Sequence, residues 1–155
     1  MGKGIVKKSK IVPGLAGSGH NYNDSHMSTV NTLCWTDIPV TNFDRALKFY
    51  SAVLGRDVPK MSEGGVEYGL LPHEEQNASG CLCIGSDSAG SENKPSQNGP
   101  LIYLSVEGRL DDAIKVVGTN GGKVLQDKHQ LGPHGFRTVI IDSEGNRIAL
   151  HSSAA

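Results

Sequence analysis

The chain has too few cysteines for a disulfide scaffold, too little charge of either sign for a nucleic-acid surface, and no long apolar run. Its three cysteines, Cys34, Cys81 and Cys83, are an odd number in 155 residues. That count fits thiols in a reducing, cytoplasmic setting better than the cross-links of a small secreted protein. No stretch approaches the roughly 18 to 20 consecutive apolar residues that a membrane span requires. Fifteen Lys and Arg stand against sixteen Asp and Glu, a net charge of -1. Four lysines against Asp24 give +3 over residues 1–27, which leaves -4 for the remainder. A mildly acidic body without a basic stripe excludes the phosphate-neutralising surface of a nucleic-acid-binding protein. No Gly-x-Gly-x-x-Gly turn links a strand pattern to a helix pattern, and no Lys closes a phosphate loop, so these routes to nucleotide binding are unsupported.

What the sequence does have is glycine, twenty residues scattered through it, and an order of patterns that occurs twice. Residues 1–27 read as a leader outside the fold, either natural or cloning-derived, with a junction at His26-Met27. Alternation over residues 30–40 predicts a strand with Thr36, Ile38 and Val40 on one face and Leu33, Trp35 and Asp37 on the other. A helix follows from Thr41, its expected cap, with Asp44 in its first turn. Ala46, Leu47, Tyr50, Val53 and Leu54 trace its apolar stripe, and Gly55 stops it. Strands are expected at 57–60, 66–71 and 80–85. Residues 86–99 read as a linker whose composition can bury nothing. The order then restarts: a strand at 101–106, a helical stripe at Leu110, Ala113, Ile114 and Val117, a stop at Gly121-Gly122, and strands at 123–126, 136–141 and 147–151. Ala46 and Ala113 are 67 apart, as are Gly55 and Gly122. The reading is an α+β chain of two βαβββ modules, residues 28–85 and 100–152, in pseudo-symmetry.

Ile38-Pro39-Val40-Thr41-Asn42-Phe43-Asp44-Arg45-Ala46, continuing through Phe49-Tyr50 to Val53-Leu54-Gly55, resembles the opening helix signature of the vicinal oxygen chelate superfamily, which includes glyoxalases, bleomycin-resistance proteins and extradiol dioxygenases. Asp142-Ser143-Glu144-Gly145-Asn146-Arg147-Ile148 resembles its closing hairpin. Gly121-Gly122-Lys123-Val124, Ile141-Asp142 and Leu150-His151-Ser152 are similar to a glyoxalase-related subgroup of unassigned function. The resemblance implies a curved, U-shaped mixed sheet around a cavity, with helices on its outer face, and often a homodimer. It also implies a divalent metal held by His and Glu on the first and last strands of each module. At those positions this chain has Trp35, Leu101 or Ile102, Ala149, and a segment offering only Cys81, Leu82 and Cys83. The usual metal ligands are therefore expected to be absent.

Alternation from Trp35 and Ala149 turns Trp35, Asp37, Arg147 and His151 toward the expected cavity, with Tyr103 and Ser105 beside them. Such a set, Ser105 included, suits a small planar or anionic ligand: Trp35 stacks, Arg147 pairs with a carboxylate, and Tyr103 and His151 hydrogen-bond. Asp37 and His151 are also the candidate acid/base residues. His73 and His134 sit beside prolines in loops, and either could complete a non-standard metal site with His151. Cys81-x-Cys83 suits small core or pocket residues better than a chelating pair. Two readings stay open: a metal-independent small-molecule-binding protein, or a lyase, isomerase or dioxygenase using displaced metal ligands or metal-free acid/base chemistry.

Overall fold

Helix α1 (Phe43–Leu54) starts where Asn42, in extended backbone, accepts the Arg45 amide on its side chain, and ends at Gly55, whose φ of 65° is left-handed. The cap is Asn42 and not Thr41, because the Thr41 hydroxyl is committed elsewhere, to Glu144 at 2.8 Å. Ala46, Phe49, Tyr50 and Val53 are buried along its stripe. Helix α2 (Leu110–Val117) buries Leu110, Ala113 and Val117, then tightens into a 3-10 turn at Gly118–Asn120. The stripes meet helix to helix and share one core with Ile38, Leu82, Ile140, Ile148 and Leu150. Each large side chain sequestered there is worth about 1.5 to 3 kcal/mol relative to exposure. The expected 67-residue match holds for Ala46 and Ala113, both fully buried. It slips by one at the stops: Gly121 takes the positive φ, while a Cβ on Gly122 would lie 2.6 Å from the Phe49 ring and 2.7 Å from the Ile141 carbonyl. Gly55 is there for its backbone angle, Gly122 for space.

The computed structural model describes residues 32–74, 77–85 and 92–155, which belong to one unit, Asn31–Ala155. The expected leader, residues 1–27, lies outside the described residues. The strands are β1 (Trp35–Pro39), β2 (Lys60–Glu63), β3 (Val66–Leu70), β4 (Ser79–Cys83), β5 (Ile102–Ser105), β6 (Lys123–Gln130), β7 (Phe136–Ile141) and β8 (Arg147–Ser152). They form two four-stranded sheets, ordered β1-β4-β3-β2 and β5-β8-β7-β6. In each, the first strand runs parallel to the last and the other pairs are antiparallel. This is the expected α+β arrangement of two βαβββ modules.

Several strand ends differ from expectation for identifiable reasons. The first strand begins at Trp35 and not at 30, because its partner β4 begins opposite it at Ser79; residues 30 and 31 lie outside the described residues. The strand expected at 57–60 begins only at Lys60. Val58 gives its amide to the Ser51 hydroxyl at 3.0 Å, and Pro59 has no amide to pair. β6 runs four residues beyond its expected end, following β7 through two register shifts. The linker also differs. Residues 86–91 lie outside the described residues, but Ser96 donates its amide to Asn146 Oδ1 (3.1 Å) and accepts the Arg147 amide (3.3 Å). That segment is fastened to the start of β8.

The turn between β7 and β8 fixes the second module to the first. Asp142, buried, accepts the amides of Glu144, Gly145 and Asn146 at 2.7 to 2.9 Å and the buried Tyr50 hydroxyl of α1 at 2.6 Å. Asn146 Nδ2 donates to the Pro39 carbonyl at 2.8 Å. Glu144, its side chain fully covered, accepts from the amides of Thr41 and Asn42, the Thr41 hydroxyl, and Arg45 Nε at 2.7 Å. Burial alone would raise the Glu144 pKa, but Arg45 and the Thr41 and Asn42 donors outweigh it and hold the carboxyl at about 2. Burial, and then the charge of Asp142, push the Tyr50 hydroxyl well above its ordinary range.

Glu144→Gln removes the charge that neutralises Arg45 and turns one of the two acceptor oxygens into an amide donor facing donors, so it is expected to cost about 3 kcal/mol in chemical denaturation near pH 7. Because the folded pKa lies below the ordinary carboxylate value, this stabilisation is full above about pH 4.5 and is lost as pH falls through about 2. The gap between wild type and Glu144→Gln should therefore narrow over that window. A gap unchanged down to pH 2 would show that Glu144 is not titrating as its contacts require.

Candidate functional site

Ile38 faces the helices, so its neighbours Trp35 and Asp37 stand on the opposite face of the first sheet. Trp35 is 45% exposed. Its indole Nε1 donates to Asp37 Oδ1 at 3.0 Å, and Cys81 Sγ donates to the same oxygen at 3.3 Å. The register makes this possible, since β1 and β4 place Asp37 directly beside Cys81. Among the described residues, the side-chain donors to Asp37 are thus both neutral. These residues wall a cleft of about 280 Å³ with Tyr68, Cys83 and Asn93. Burial, then the Asp37 bond, pushes the Cys81 thiol up to about 12; Cys83 is also raised, by burial and then the Asp37 charge. Both cysteines are protonated thiols in this setting.

Arg147 approaches from the second module. With Asp37, Asn93, Lys94 and Asn146 it lines a second cleft, of about 200 Å³. Its Nη2 donates to the Gly99 carbonyl at 3.2 Å, while its buried Nε has no partner among the described residues. Tyr103 and Ser105 fall in a third and larger cleft, of about 590 Å³, whose wall also includes Thr36, Leu71 and His73. The structure therefore distributes the expected residues along the open faces of both sheets. Trp35, Asp37 and Arg147 lie close to one another; Tyr103 and Ser105 stand apart with His151.

His151 Nε2 meets the His134 main-chain carbonyl at 2.6 Å. A carbonyl only accepts, so Nε2 carries a proton and Nδ1 is the nitrogen outside that bond. The His151 and Tyr103 rings are 6.4 Å apart, edge to face. His134 contributes its backbone here, not its ring, and His73 turns Nδ1 onto the Leu71 carbonyl at 3.1 Å. Sequence reasoning missed Arg137 and His129, which join this group: Arg137 donates to His129 Nε2 and to the Tyr103 hydroxyl. Alternation through the β7–β8 hairpin carried the signal, since Arg137 lies directly opposite His151.

The side chains at the family's metal positions do not fit a divalent ion. The Trp35 indole is bonded to Asp37, Ala149 is a fully buried methyl, and Leu101 is apolar. At the fourth, the Cys81–Cys83 segment, Cys81 donates to the Asp37 carboxylate, Leu82 is in the core and the Cys83 thiol meets the Ile38 carbonyl. Among the described residues no group of three or more His, Cys, Asp or Glu is gathered to hold a metal, and none of the helices is long and apolar enough to cross a membrane.

Residues 32–150 match the model of the Glyoxalase/Bleomycin resistance protein/Dioxygenase superfamily. A glyoxylase-like domain-containing protein from Didymella fabae is 30% identical over 116 residues, covering 74% of this chain and 88% of the relative. Among solved structures, a glyoxalase/bleomycin resistance protein from Albidiferax ferrireducens superposes with a TM-score of 0.57 at 16% identity, over 77% of this chain and 97% of its own. A glyoxalase-related enzyme from Fulvimarina pelagi gives 0.58 at 9% identity, over 79% and 88%. A glyoxalase I variant from Zea mays gives 0.58 at 17% identity, covering 77% of this chain but 45% of the maize chain. At such identities the structures share the fold.

The thiols supply a test of the first cleft. Cys34 is exposed, while Cys81 is buried and Cys83 half-buried, with raised pKa values. Ellman's reagent at pH 8 should therefore titrate one thiol quickly in the folded protein and all three after unfolding, because the thiolate is the reacting species. Fast reaction of all three thiols in the native state would contradict the Cys81–Asp37 arrangement.

Proposed function

The chain belongs to the Glyoxalase/Bleomycin resistance protein/Dioxygenase superfamily, and from that premise we propose that it is a small-molecule-binding protein that works without the family's usual metal. The observation that carries this reading is Trp35. A half-exposed indole, pinned by its N–H to Asp37, walls an open cleft where the resemblance would place a metal-binding imidazole. The ligand that fits is small and flat, with a carboxylate: Trp35 offers a stacking face, and the unpartnered Nε of Arg147 offers a charged donor in the adjoining cleft. Tyr103 and Ser105 are the further ligand contacts of this reading.

Metal-free acid/base catalysis is the second reading, and the orientation of His151 favours it. With Nε2–H tied to the His134 carbonyl, Nδ1 of the neutral ring is left as a fixed acceptor. In that reading Asp37 and His151 are the catalytic groups of a lyase, isomerase or dioxygenase-type reaction. A homodimer is also proposed, because Trp35, Met61, Val66, Tyr103 and Leu125 leave large apolar surface exposed that a second copy could cover. A cytoplasmic location accords with the three free cysteines.

Trp35 is the only tryptophan, so its fluorescence reports directly on the cleft. Small aromatic carboxylates are expected to quench it saturably, and Arg147→Gln to weaken their affinity about 10- to 100-fold through loss of a charge-assisted bond. Elemental analysis after incubation with manganese, iron, nickel or zinc is expected to find no stoichiometric metal. Bound metal that His151→Ala abolishes would overturn the binding reading in favour of a metalloenzyme. If a turnover is found, less than a tenfold effect of both Asp37→Asn and His151→Ala would remove the acid/base assignment. Sedimentation is expected to give twice the chain mass, and a monomer at all concentrations would exclude the dimer.

A further inference from the structure

Arg137 is the second residue of β7, half-buried, on the sheet face turned away from the helices. Three contacts fix its guanidinium, and none of them is an anion. Nε donates to His129 Nε2 at 3.0 Å, Nη1 donates to the Tyr103 hydroxyl, and the guanidinium carbon lies 5.6 Å over the Tyr103 ring. The hydrogen bonds fix the protonation of the partners. His129 Nδ1 meets the Asp127 carbonyl at 2.9 Å and must donate to it, so a neutral ring offers its Nε2 lone pair to Arg137. Tyr103, accepting from Arg137, keeps its own O–H to give. No Asp or Glu oxygen lies within 4.0 Å of Arg137 among the described residues; the ion pairs there engage Arg45, Arg56, Lys60, Lys94, Lys115 and Lys128.

A guanidinium partly withdrawn from water and aimed by neutral groups has been positioned without being neutralised. That is the electrostatic form of a preorganised anion site, in which the ligand supplies the missing charge. We propose that Arg137, Tyr103 and His129 form a carboxylate-binding site on the second sheet, separate from the Arg147 cleft. The carboxylate takes the free Nη edge of Arg137 in a two-point pair and accepts a third bond from the Tyr103 hydroxyl, while His129 is the positioning residue behind the guanidinium. The choice of carboxylate follows from the donors. One planar fork and one hydroxyl match a planar monoanion, whereas a phosphate dianion is ordinarily met by several backbone amides or further cations. Arg137 lines neither the 280 Å³ nor the 200 Å³ cleft and has no part in the proposed binding at Trp35 and Arg147, so the Arg137 readouts separate the failure of this inference from the failure of that one.

The test follows the Arg137 Nε–Hε resonance of ¹⁵N-labelled full-length protein during titration with benzoate, its neutral isostere benzamide, and inorganic phosphate. Benzoate is expected to shift that resonance saturably, with phosphate at least tenfold weaker and benzamide without effect. In an Arg147→Gln background, where the other cleft lacks its charge, Arg137→Gln should lower benzoate affinity, read by calorimetry, at least tenfold, and Tyr103→Phe about fivefold, each matching the loss of charge-assisted bonds. Arg147→Gln should leave the Arg137 shift and its midpoint within twofold. Should Arg137→Gln fail to fold, Arg137→Lys keeps the charge and removes the fork, and an affinity equal to wild type would overturn the two-point pair. Equal responses to benzoate and benzamide, phosphate binding as tight as benzoate, or unchanged affinity in Arg137→Gln would each overturn the site. So would an Arg137 resonance that moves with protein concentration alone, because the counter-charge would then be a carboxylate of a second copy.

Discussion

The Glu144 carboxylate neutralises Arg45 and closes the amino-terminal end of α1, and most of the architecture is arranged around that contact. A buried carboxylate without such donors would be expelled or protonated; with them it ties a turn near the end of the chain to a helix near its beginning. Asp142 on Tyr50 and Asn146 on the Pro39 carbonyl lie on either side and extend the same junction. The geometry of the first cleft follows from it. Pro39 ends the strand that carries Trp35 and Asp37, and Arg147 directly follows Asn146, so the junction that fastens the modules also sets Arg147 beside Asp37.

Three charged groups on the open faces share a property that separates them from the structural ion pair. Among the described residues Asp37 is met by an indole and a thiol, Arg137 by an imidazole and a phenol, and Arg147 by a carbonyl, its buried Nε left without a partner. Charges that serve stability alone are ordinarily paired or solvated, as Lys128 is with Asp111 and Lys115 with Asp112. Charges aimed by neutral partners keep their field for something that arrives. In the proposed reading the faces away from the helices carry recognition, while the faces toward them hold the core.

Much of the scaffold was legible because it rests on periodicity. The stripe through Ala46, Tyr50 and Val53, its counterpart through Leu110, Ala113 and Val117, and the left-handed stop at Gly55 all follow from spacing alone. Trp35 and Asp37 were placed on the open face by simple alternation. What periodicity does not contain is pairing across distance. Thr41 looks like a cap in isolation, and only the arrival of Glu144 from a hundred residues away hands that role to Asn42. The linker read as unattached because its polar composition does not reveal that Ser96 has backbone partners in β8. Arg137 went unnoticed because a charged residue in a strand gives no local sign of whether water or a neighbouring strand faces it.

The junction also bears on how the chain is made. Synthesis runs from the amino end, and α1 emerges with its first amides and Arg45 bare. Their acceptor is separated from Arg45 by 99 residues and from Thr41 by 103. Until residue 144 has left the ribosome, the start of α1 lacks its acceptor. A helix translated early is thus sealed late, once the β7–β8 hairpin has formed against it.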